Sequence, residues 1–387
     1  MRLCKKTFTQ PGDFPLTDTW SYLNAANVAL MPMSATRVMT DWQTDVAQNG
    51  SNNFNDHAED TAFDGLREQG AKLFGCRQED IAGGSSCSEL LGSLAWAIMP
   101  QQHENVVSTS IAFPSTVYPF TRVSHHTGCE IRLAQGNNGY TSFDEIVKNI
   151  DHNTSIVSIS HAEYTGGQLY DLTALAEVAH AHGALLIVDA TQSAGAIPID
   201  APSTGADAII AGGYKWLCGP FGAAVMYLAP HLQNTLEPGF VGFRSHKDMW
   251  DLSPERLDYP ETAKRFESST MAFGCIKGLE KSIEYLTKIG ITQIYNHNIG
   301  LADRLIEGLS SLDVEVVSPL NLSERTSIVT CKVRGHDPLE VVRSLKERHV
   351  VAHKRQDFLR FSPHVYNNEA DVDRAVSELR LLLTTGR

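Results

Sequence analysis

A chain of 387 residues, 42% of them apolar, can bury a large core and is long enough that two domains are expected. Its formal net charge of −13 and the lack of a basic run argue against nucleic acid or an anionic membrane surface as a partner. No apolar run approaches the roughly 18 residues of a membrane span, and the charged N-terminus carries no recognisable secretory signal. Seven scattered cysteines without a CxxC pair indicate neither a disulfide framework nor a metal site, so a cytoplasmic protein is expected.

The middle of the chain alternates short apolar runs with helical patterns. Several runs are apolar nearly throughout, which is typical of strands covered on both faces. The predicted strands are residues 105–110, 155–160, 184–189, 207–212 and 223–228. Between two of them, residues 171–183 have one apolar helical face, Asp171 or Thr173 as a possible cap and Gly183 as a stop. This repetition predicts an α/β fold with a mainly parallel sheet.

The pattern changes after about residue 230. Residues 230–261 are rich in Pro, Gly and charge and are predicted to be an irregular connection. Helices are predicted at residues 274–290, 299–312, 337–349 and 368–383, with strands at 326–333 and 358–362. This part of the chain is predicted to form a smaller α+β unit.

Two polar residues end predicted strands in the larger part. Asp189 closes the run ALLIVD, and Lys215 follows the run ending at Gly212, in GGYKWLCGPFG. If their strands are neighbours, the carboxylate and the amine meet in one crevice at the carboxyl edge of the sheet. A desolvated lysine with a lowered pKa is a nucleophile toward carbonyl groups. Taken alone, Asp189 could equally cap a turn and Lys215 could extend to the surface.

Two further segments carry candidate ligand-binding residues. In IAGGSSCSELL, Ser86, Cys87 and Ser88 begin a predicted helix, where free N–H groups suit a phosphate, although a simple N-cap is the more common role. In AFPST, Phe113 follows a strand and offers a flat aromatic face, although most such residues are core. A lysine amine, a carboxylate, a phosphate site and an aromatic ring together indicate a pyridoxal phosphate (PLP) site.

With these residues in place, the sequence resembles the fold-type I PLP enzymes of the class V aminotransferase group, which includes cysteine desulfurases, isopenicillin N epimerase and cysteine C–S lyases. The resemblance extends from YLNAANVALMP (22–32) to FLRFSPHVYNNEADVD (358–373), and its most specific motifs are VDATQSAG, GGYKWLCGPFG and LRFSPHVYN. It implies a large PLP-binding domain at 18–255, with a mainly parallel seven-stranded sheet. It also implies a small domain formed by 1–17 and 256–387.

The resemblance assigns roles around the cofactor ring. Lys215 would be the catalytic lysine that bonds to the cofactor aldehyde, and Asp189 would pair with the ring nitrogen. Gln192 would hydrogen-bond the phenolic oxygen, and Phe113 would stack on the ring. Family members often place an asparagine near Tyr164–Thr165 that contacts the ring oxygen; no asparagine stands here, so either Thr165 makes that contact or it is lost.

The resemblance also assigns roles at the phosphate. Ser88 would be a side-chain ligand, with Ser86 and Cys87 offering N–H groups and Tyr214 replacing a histidine of the desulfurases. Thr270 matches a threonine that reaches the phosphate of the neighbouring subunit, which implies a homodimer with shared sites. A surface Ser/Thr cap is the plain alternative for Thr270.

An α-amino acid is the implied substrate. Arg360 matches the arginine that binds its α-carboxylate, and the resemblance places Asn24, Ala25 and His364 near the same group. The role of His161, which also ends a strand, stays open. The histidines of HAH (180–182) and SHH (124–126) are expected to be solvated rather than metal ligands.

Desulfurases carry a nucleophilic cysteine in the interval that here is ERHVVAHKRQDFLR (347–360) and contains none. Cys331 precedes that helix and is expected to be a buried strand residue, so persulfide formation is not expected. His353, Lys354 and Arg355 in this interval either bind an acidic or polar substrate side chain or form a solvated turn. The preferred function is β-elimination from a cysteine-like substrate, with transamination, epimerisation and carbon–carbon bond formation as alternatives.

Other function classes have weaker support. A cofactor-free binding protein on this fold would be expected to lack Lys215 or Asp189, and both are present. A nicotinamide dehydrogenase would carry a GxGxxG turn after a strand, and a serine hydrolase would carry GxSxG; neither motif occurs.

Overall fold

A computed structural model describes residues 8–385 of the chain. Residues 1–7, which hold Cys4 and the first part of the predicted 1–17 segment, and residues 386–387 lie outside the described residues. The helices are α1 (Met33–Asn49), α2 (Asp56–Asp60), α3 (Asp64–Phe74), α4 (Cys87–Ile98), α5 (Pro114–Thr127), α6 (Phe143–Val147), α7 (Leu172–Ala181), α8 (Ala201–Thr204), α9 (Phe273–Ile289), α10 (Ile291–Ser310), α11 (Pro338–Glu347) and α12 (Glu369–Thr385).

The strands are β1 (Ser21–Tyr22), β2 (Ile81–Gly84), β3 (Asn105–Thr109), β4 (Glu130–Ala134), β5 (Thr154–Ser160), β6 (Leu185–Asp189), β7 (Ala208–Gly212), β8 (Ala224–Leu228), β9 (Val314–Val316), β10 (Val329–Val333), β11 (Val350–Val351), β12 (His353–Arg355) and β13 (Phe358–Phe361).

A seven-stranded sheet in the order β2-β8-β7-β6-β5-β3-β4 forms the centre of the larger part. The pairs from β7 to β4 are parallel, whereas β8 runs antiparallel to both of its neighbours. The mainly parallel α/β prediction is therefore confirmed, and all five predicted strands belong to this sheet. The short return through residues 213–223 explains the reversal of β8, because a parallel connection needs a longer crossover.

Two strands of this sheet escaped prediction for local reasons. β2 contains Gly83 and Gly84, which leave room for neighbouring side chains: a Cβ on Gly83 would lie 2.5 Å from the Phe63 ring, and one on Gly84 would lie 2.6 Å from Leu90. β4 is an edge strand with an exposed glutamate at its start, so it lacks a continuous apolar run.

Apolar layers cover both faces of the large sheet. One layer includes Phe63, Leu66, Leu186 and Val188, and it also takes in the buried face of α9 through Ile276 and its neighbours. The other layer joins α4 and α5 to the opposite face of the strands. Because both faces are covered, a ligand has access only at the ends of the central strands, where Ser160 and Asp189 lie.

The predicted smaller unit contains an antiparallel sheet in the order β12-β13-β10-β9, packed with α10, α11 and α12 around a core of its own. The N-terminal segment joins this unit, since β1 pairs in parallel with β11 and Leu23 is buried in the same core. Residues 230–261 contain only short 3-10 turns, as predicted. The domain boundaries at residues 17/18 and 255/256 stay predictions.

Among the described residues, no helix is long and apolar enough to cross a membrane.

Candidate active site

A pocket opens at the carboxyl edge of the large sheet. Its walls come from the ends of β5 and β6, the segment after β7, the first turn of α4 and the start of α5. Eight residues predicted from the sequence line it: Ser86, Cys87, Ser88, Phe113, Asp189, Gln192, Tyr214 and Lys215. The alternation of strand and helix therefore brings together residues that are more than a hundred positions apart in the chain.

Lys215 is buried, with 6% of its surface exposed, and its Nζ lies 5.1 Å from the centroid of the Phe113 ring. Burial lowers the pKa of Lys215 to about 8; the Asp189 carboxylate opposes this shift, and the positive charge of Arg360 adds to it. The residue therefore does not extend to the surface. An amine with this pKa is partly neutral near pH 7 and able to attack an aldehyde.

The backbone around Lys215 depends on a close approach between two loops. Gly195 adopts φ +91°, and a Cβ there would lie 2.4 Å from the Trp216 carbonyl oxygen. Only glycine fits such a contact at a positive φ. The two motifs VDATQSAG and GGYKWLCGPFG are therefore packed against each other, which fixes the lysine relative to Asp189.

Asp189 is buried at the end of β6. Its carboxylate accepts hydrogen bonds from the Thr191 backbone N–H at 2.9 Å and from Thr116 Oγ1 at 3.3 Å. No residue in the described part of the chain forms an ion pair with it. The carboxylate is thus held in place by neutral donors and can accept the N–H of a protonated ring nitrogen.

The first turn of α4 forms the other end of the pocket. Ser86 is the N-cap and accepts a hydrogen bond from the Glu89 N–H at 3.1 Å. Ser88 Oγ and Ser115 Oγ are 2.8 Å apart, within hydrogen-bond distance, and both residues line this end of the pocket. Free N–H groups, hydroxyls and the positive end of the helix dipole suit a phosphate.

Gln192 and Trp216 are hydrogen-bonded to each other beside the lysine. Trp216 Nε1 donates to Gln192 Oε1 at 2.8 Å, and Gln192 Nε2 donates to the Ala26 carbonyl at 3.0 Å. An amide nitrogen has two hydrogens, so one donor of Gln192 stays free for a ligand. The donor set of the pocket fits PLP: an aldehyde-reactive amine, a carboxylate for the ring nitrogen and a helix terminus for the phosphate.

Arg360 is fully buried on β13, behind the pocket. One nitrogen of its guanidinium, Nη1, donates to the Tyr164 carbonyl, whereas Nε and Nη2 are buried without a hydrogen-bond partner. Burial and the positive charge of Arg355 lower the pKa of Arg360 to about 9. Unpartnered buried donors are costly, so this guanidinium is prepared for an anion.

The remaining predicted residues do not line this pocket. Thr270 is exposed in the segment before α9. Thr165 is buried and accepts a hydrogen bond from Thr330 through its backbone carbonyl. Asn24 and Ala25 pair with Ser362 through their backbones, and the Asn24 side-chain oxygen is buried without a partner.

His364 lies behind Trp216, with both ring nitrogens engaged inside the protein. Its Nε2 lies 3.0 Å from the Trp216 carbonyl oxygen, and its Nδ1 lies 3.1 Å from Asn298 Nδ2. Because a carbonyl only accepts, Nε2 carries the proton and Nδ1 accepts from Asn298. Burial lowers the pKa of His364 to about 3, so the ring is neutral at pH 7. In this arrangement His364 supports the lysine segment from behind.

His161, at the end of β5, is also buried outside the pocket. Its Nδ1 lies 2.9 Å from Ser193 Oγ, and burial lowers its pKa to about 4. A neutral ring at the end of β5 is consistent with packing beneath the site.

Sequence reasoning missed five lining residues: Ser115, Ser160, Ala162, Tyr164 and Thr191. The rule that selected Asp189 could have found Ser160 and Thr191, since they end or follow neighbouring strands. Tyr164 meets the Phe113 ring edge-on, with the ring centroids 5.4 Å apart. In the sequence, only its position next to Thr165 indicated that Tyr164 lies at the site.

The interval 347–360 forms the end of α11 followed by β11, β12 and β13. It contains no cysteine. Cys331 is buried in β10, and burial raises its pKa to about 12, so its thiol is a poor nucleophile. Cys87 is the cysteine in the pocket lining, and burial raises its pKa well above its usual value.

Comparison with known proteins identifies the family. The model of the class-V aminotransferase family matches residues 21–375. The Bacillus subtilis protein YcbU, called an uncharacterized aminotransferase, is 25% identical over 366 residues, which are 95% of each chain. A probable cysteine desulfurase of Methanothermobacter thermautotrophicus is 26% identical over 382 residues, covering 93% of this chain and 94% of the relative.

Solved structures agree on the fold. The cystine C–S lyase C-DES, in complex with its product cysteine persulfide, superposes with a TM-score of 0.86 at 20% identity. The superposition covers 95% of this chain and 99% of that structure. Another C-DES structure holds glycine linked covalently to PLP. The chain therefore belongs to the class-V aminotransferase family, on the fold-type I scaffold, and is an enzyme that uses PLP as its cofactor.

Proposed function

We propose that PLP is bound covalently by Lys215 and that an α-amino acid substrate binds with its α-carboxylate on Arg360. The observation that carries this proposal is a buried lysine on which two nearby charges act: the Asp189 carboxylate, which has no cation, and the Arg360 guanidinium, which has no anion. Asp189 would hold the ring nitrogen protonated, Phe113 would cover the ring, and Ser86, Cys87 and Ser88 would hold the phosphate with Tyr214.

When bound, PLP withdraws electrons from the substrate Cα and so makes the Cα proton acidic. The protein supplies the base. Lys215, released when the substrate amine takes its place, is the candidate to remove that proton from Cα. Burial supports this role, because the lowered pKa leaves part of the amine neutral near pH 7.

We infer that the reaction is β-elimination from a cysteine-like substrate. The Cα–H and Cβ–S bonds break, the sulfur leaves with its electron pair, and the remaining enamine is hydrolysed to pyruvate and ammonia. Two observations support elimination over transfer of the sulfur to a cysteine of the enzyme: the 347–360 interval has no cysteine, and Cys331 is buried in a strand. The cystine C–S lyase C-DES is a precedent for this chemistry on the same fold.

Transamination is the second candidate, since YcbU is named an aminotransferase and resembles the chain over nearly its whole length. Epimerisation and carbon–carbon bond formation use the same first proton transfer from Cα. The four reactions differ in what happens to the carbanion afterwards.

Product analysis in deuterated water separates these reactions. The purified enzyme is incubated with cysteine, cystine and cysteine S-conjugates, with and without keto acids. Elimination predicts pyruvate and ammonia. Accumulated pyridoxamine phosphate would indicate transamination, and deuterated, inverted substrate would indicate epimerisation. Borohydride should fix the cofactor to Lys215. A colourless protein that rejects added PLP would overturn the proposal altogether.

We also propose a cytoplasmic homodimer in which Thr270 of one chain reaches the phosphate of the other. Exposed apolar side chains cluster in the irregular connection before Thr270: Phe240, Val241, Phe243, Trp250, Leu252 and Leu257. A concentration of exposed apolar side chains in one segment supports an interface there. Light scattering should give twice the mass of the chain, and Thr270→Ala should weaken PLP binding although Thr270 is exposed in one chain. A monomer that retains full PLP affinity would contradict this assembly.

A further inference from the structure

Arg355 is a second arginine beside the proposed substrate site. It ends β12, which pairs with β13 so that His353 lies opposite Arg360 and Arg355 lies opposite Phe358. Side chains alternate along a strand, so Arg355 and Arg360 share one face of this hairpin, and Lys354 lies on the other. Two guanidinium groups are thus diagonal neighbours on the face that meets Tyr164.

Contacts hold Arg355 beside Tyr164, a residue of the pocket lining. Its Nη2 donates to Asn27 Oδ1 at 2.8 Å, and its guanidinium carbon lies 5.8 Å from the centroid of the Tyr164 ring. Tyr164 lines the pocket beside Phe113. The Nε of Arg355 is buried without a hydrogen-bond partner. The side chain is therefore oriented by a neutral amide and an aromatic ring, with donor capacity left over.

The charges near the pocket do not balance. Lys215, Arg355 and Arg360 are close enough that the two arginines lower the pKa of the buried lysine, after burial itself. Arg355 also lowers the pKa of Arg360, again after burial. Asp189 is the carboxylate that acts on Lys215, and neither arginine forms an ion pair within residues 8–385.

A substrate with one carboxylate cannot correct this imbalance. Its α-carboxylate would neutralise Arg360, and Arg355 would keep an unpaired positive charge and an unpartnered buried N–H. Clustered guanidinium groups favour ligands with a matching number of anionic groups, because each charge-assisted hydrogen bond adds affinity.

We propose that Arg355 binds a second anionic group, a carboxylate at the far end of the substrate side chain. The substrate class is then amino acids with an acidic side chain, and for elimination, cysteine S-conjugates whose sulfur substituent ends in a carboxylate. The inference rests on the proposed function in that an amino acid enters the pocket with its α-carboxylate on Arg360. Of the two roles open to the basic interval 353–355, this inference favours substrate recognition over a solvated turn.

The test compares isosteric substrates with the holoenzyme. S-carboxymethylcysteine and S-carbamoylmethylcysteine differ in charge but hardly in shape. We expect the carboxylate to be preferred in kcat/KM by the native enzyme and the preference to fall roughly 10- to 100-fold in Arg355→Gln, mainly through KM. Arg355→Lys, which keeps the charge without the planar fork, should retain part of the preference and guards against a folding defect.

Lys354→Gln is the matched control, since it removes the same charge one residue away on the opposite face of the hairpin. It should leave the preference unchanged. An equal loss in Lys354→Gln, an unchanged preference in Arg355→Gln, or a native preference for the neutral conjugate would each overturn the inference. So would a loss of PLP affinity in Arg355→Gln with the preference intact, because Arg355 would then serve the cofactor.

A binding measurement keeps this inference separate from the reaction type. Aspartate and asparagine are titrated into the holoenzyme, and dissociation constants are taken from the change in cofactor absorbance. A preference for aspartate that requires Arg355 supports the inference even if no conjugate yields pyruvate, in which case only the proposed elimination is wrong. Equal affinities for aspartate and asparagine, together with pyruvate production, would leave elimination standing and overturn the role of Arg355.

Discussion

The carboxyl edge of the large sheet and the β12–β13 hairpin meet at one pocket but differ in how their polar groups are satisfied. At the sheet edge, Asp189 and Gln192 already have hydrogen-bond partners from the chain, as does Ser88. On the hairpin, Arg355 and Arg360 keep buried nitrogens without partners.

This difference agrees with how long each proposed ligand stays bound, the cofactor at the sheet edge and the substrate at the hairpin. A retained cofactor is best held by side chains that the protein fixes in advance, because preorganised groups need no rearrangement at each turnover. A substrate arrives and leaves in every cycle. The protein donors that bind it should therefore have no hydrogen-bond partners within the protein, because such partners would compete with the substrate. The pattern of partners therefore separates the proposed cofactor side from the proposed substrate side.

Lys215→Ala should have the largest effect. Removing the proposed base and attachment point should lower kcat by at least about 10³-fold, near the upper range for general base catalysis. Steady-state kinetics of pyruvate or keto-acid formation measure it. Lys332→Ala, at an exposed position of β10, should behave like the native enzyme. A Lys215→Ala enzyme within tenfold of the native rate would place the chemistry elsewhere.

Arg360→Lys tests the substrate side. The substitution keeps a positive charge but loses the planar fork, so KM for the amino acid should rise roughly 10- to 100-fold while kcat changes less. Initial rates over a range of substrate concentrations separate the two parameters. Arg343→Lys, exposed on α11, is the matched control. A fall in kcat with unchanged KM would argue that Arg360 does not bind the substrate.

Glu163 is an exception on the sheet side, since one oxygen of its buried carboxyl has no hydrogen-bond partner. Its Oε1 accepts from Thr109 Oγ1 at 3.1 Å and from Tyr170 OH at 3.3 Å, whereas Oε2 has no partner. Burial raises its pKa from 4.5 to about 7. Between these values the folded state binds more protons than the unfolded state, so stability should fall as pH rises and the loss should be complete above pH 7.

Glu163→Gln should remove this pH dependence, which amounts to about 3 kcal/mol. Urea unfolding of native and variant apoenzyme at pH 5 and pH 8 measures the difference. The comparison must be made between proteins, because His161, with a pKa lowered to about 4, makes stability rise with pH over an overlapping range. Glu177→Gln, exposed on α7, should give the same free-energy difference at both pH values. An equal difference for Glu163→Gln at both values would contradict the shifted pKa.

The smallest effect concerns how the apoenzyme captures PLP. With the pKa of Lys215 at about 8, the neutral fraction rises about tenfold from pH 7 to pH 9 and then levels off. Stopped-flow measurement of capture should follow this profile, with N-acetyl-lysine as the reference amine for PLP's own titration. A rate that climbs on through pH 10 would mean that Lys215 is an ordinary solvated lysine.

Much of the fold could be predicted because buried parallel strands leave continuous apolar runs. The apolar run 223–228 predicted a strand but not its direction. The direction depends on the length of the connection from β7 to β8 rather than on the composition of the strand. Asp189 and Lys215 were found because a charge at the end of an apolar run is conspicuous.

The rest of the candidate site depends on tertiary contacts that composition does not encode. Tyr164 lies in a loop whose shape decides whether its ring meets Phe113. His364 was expected near the substrate, and only the packing of Trp216 explains its neutral, internally bonded ring. Arg355 could not be separated from a solvated turn until strand pairing gave the face it shares with Arg360.

The N-terminal strand has a consequence for the order of folding. β1 pairs with β11, and Ser21 Oγ donates to Asp371 Oδ1 across 350 residues of sequence. During synthesis the first segment must stay unpaired until almost the whole chain has emerged, although the large sheet between them can already form. Ala26, which accepts from Gln192, belongs to that late segment. The pocket can therefore be completed only at the end of translation, and a chain that stops before α12 should hold a sheet without a finished site.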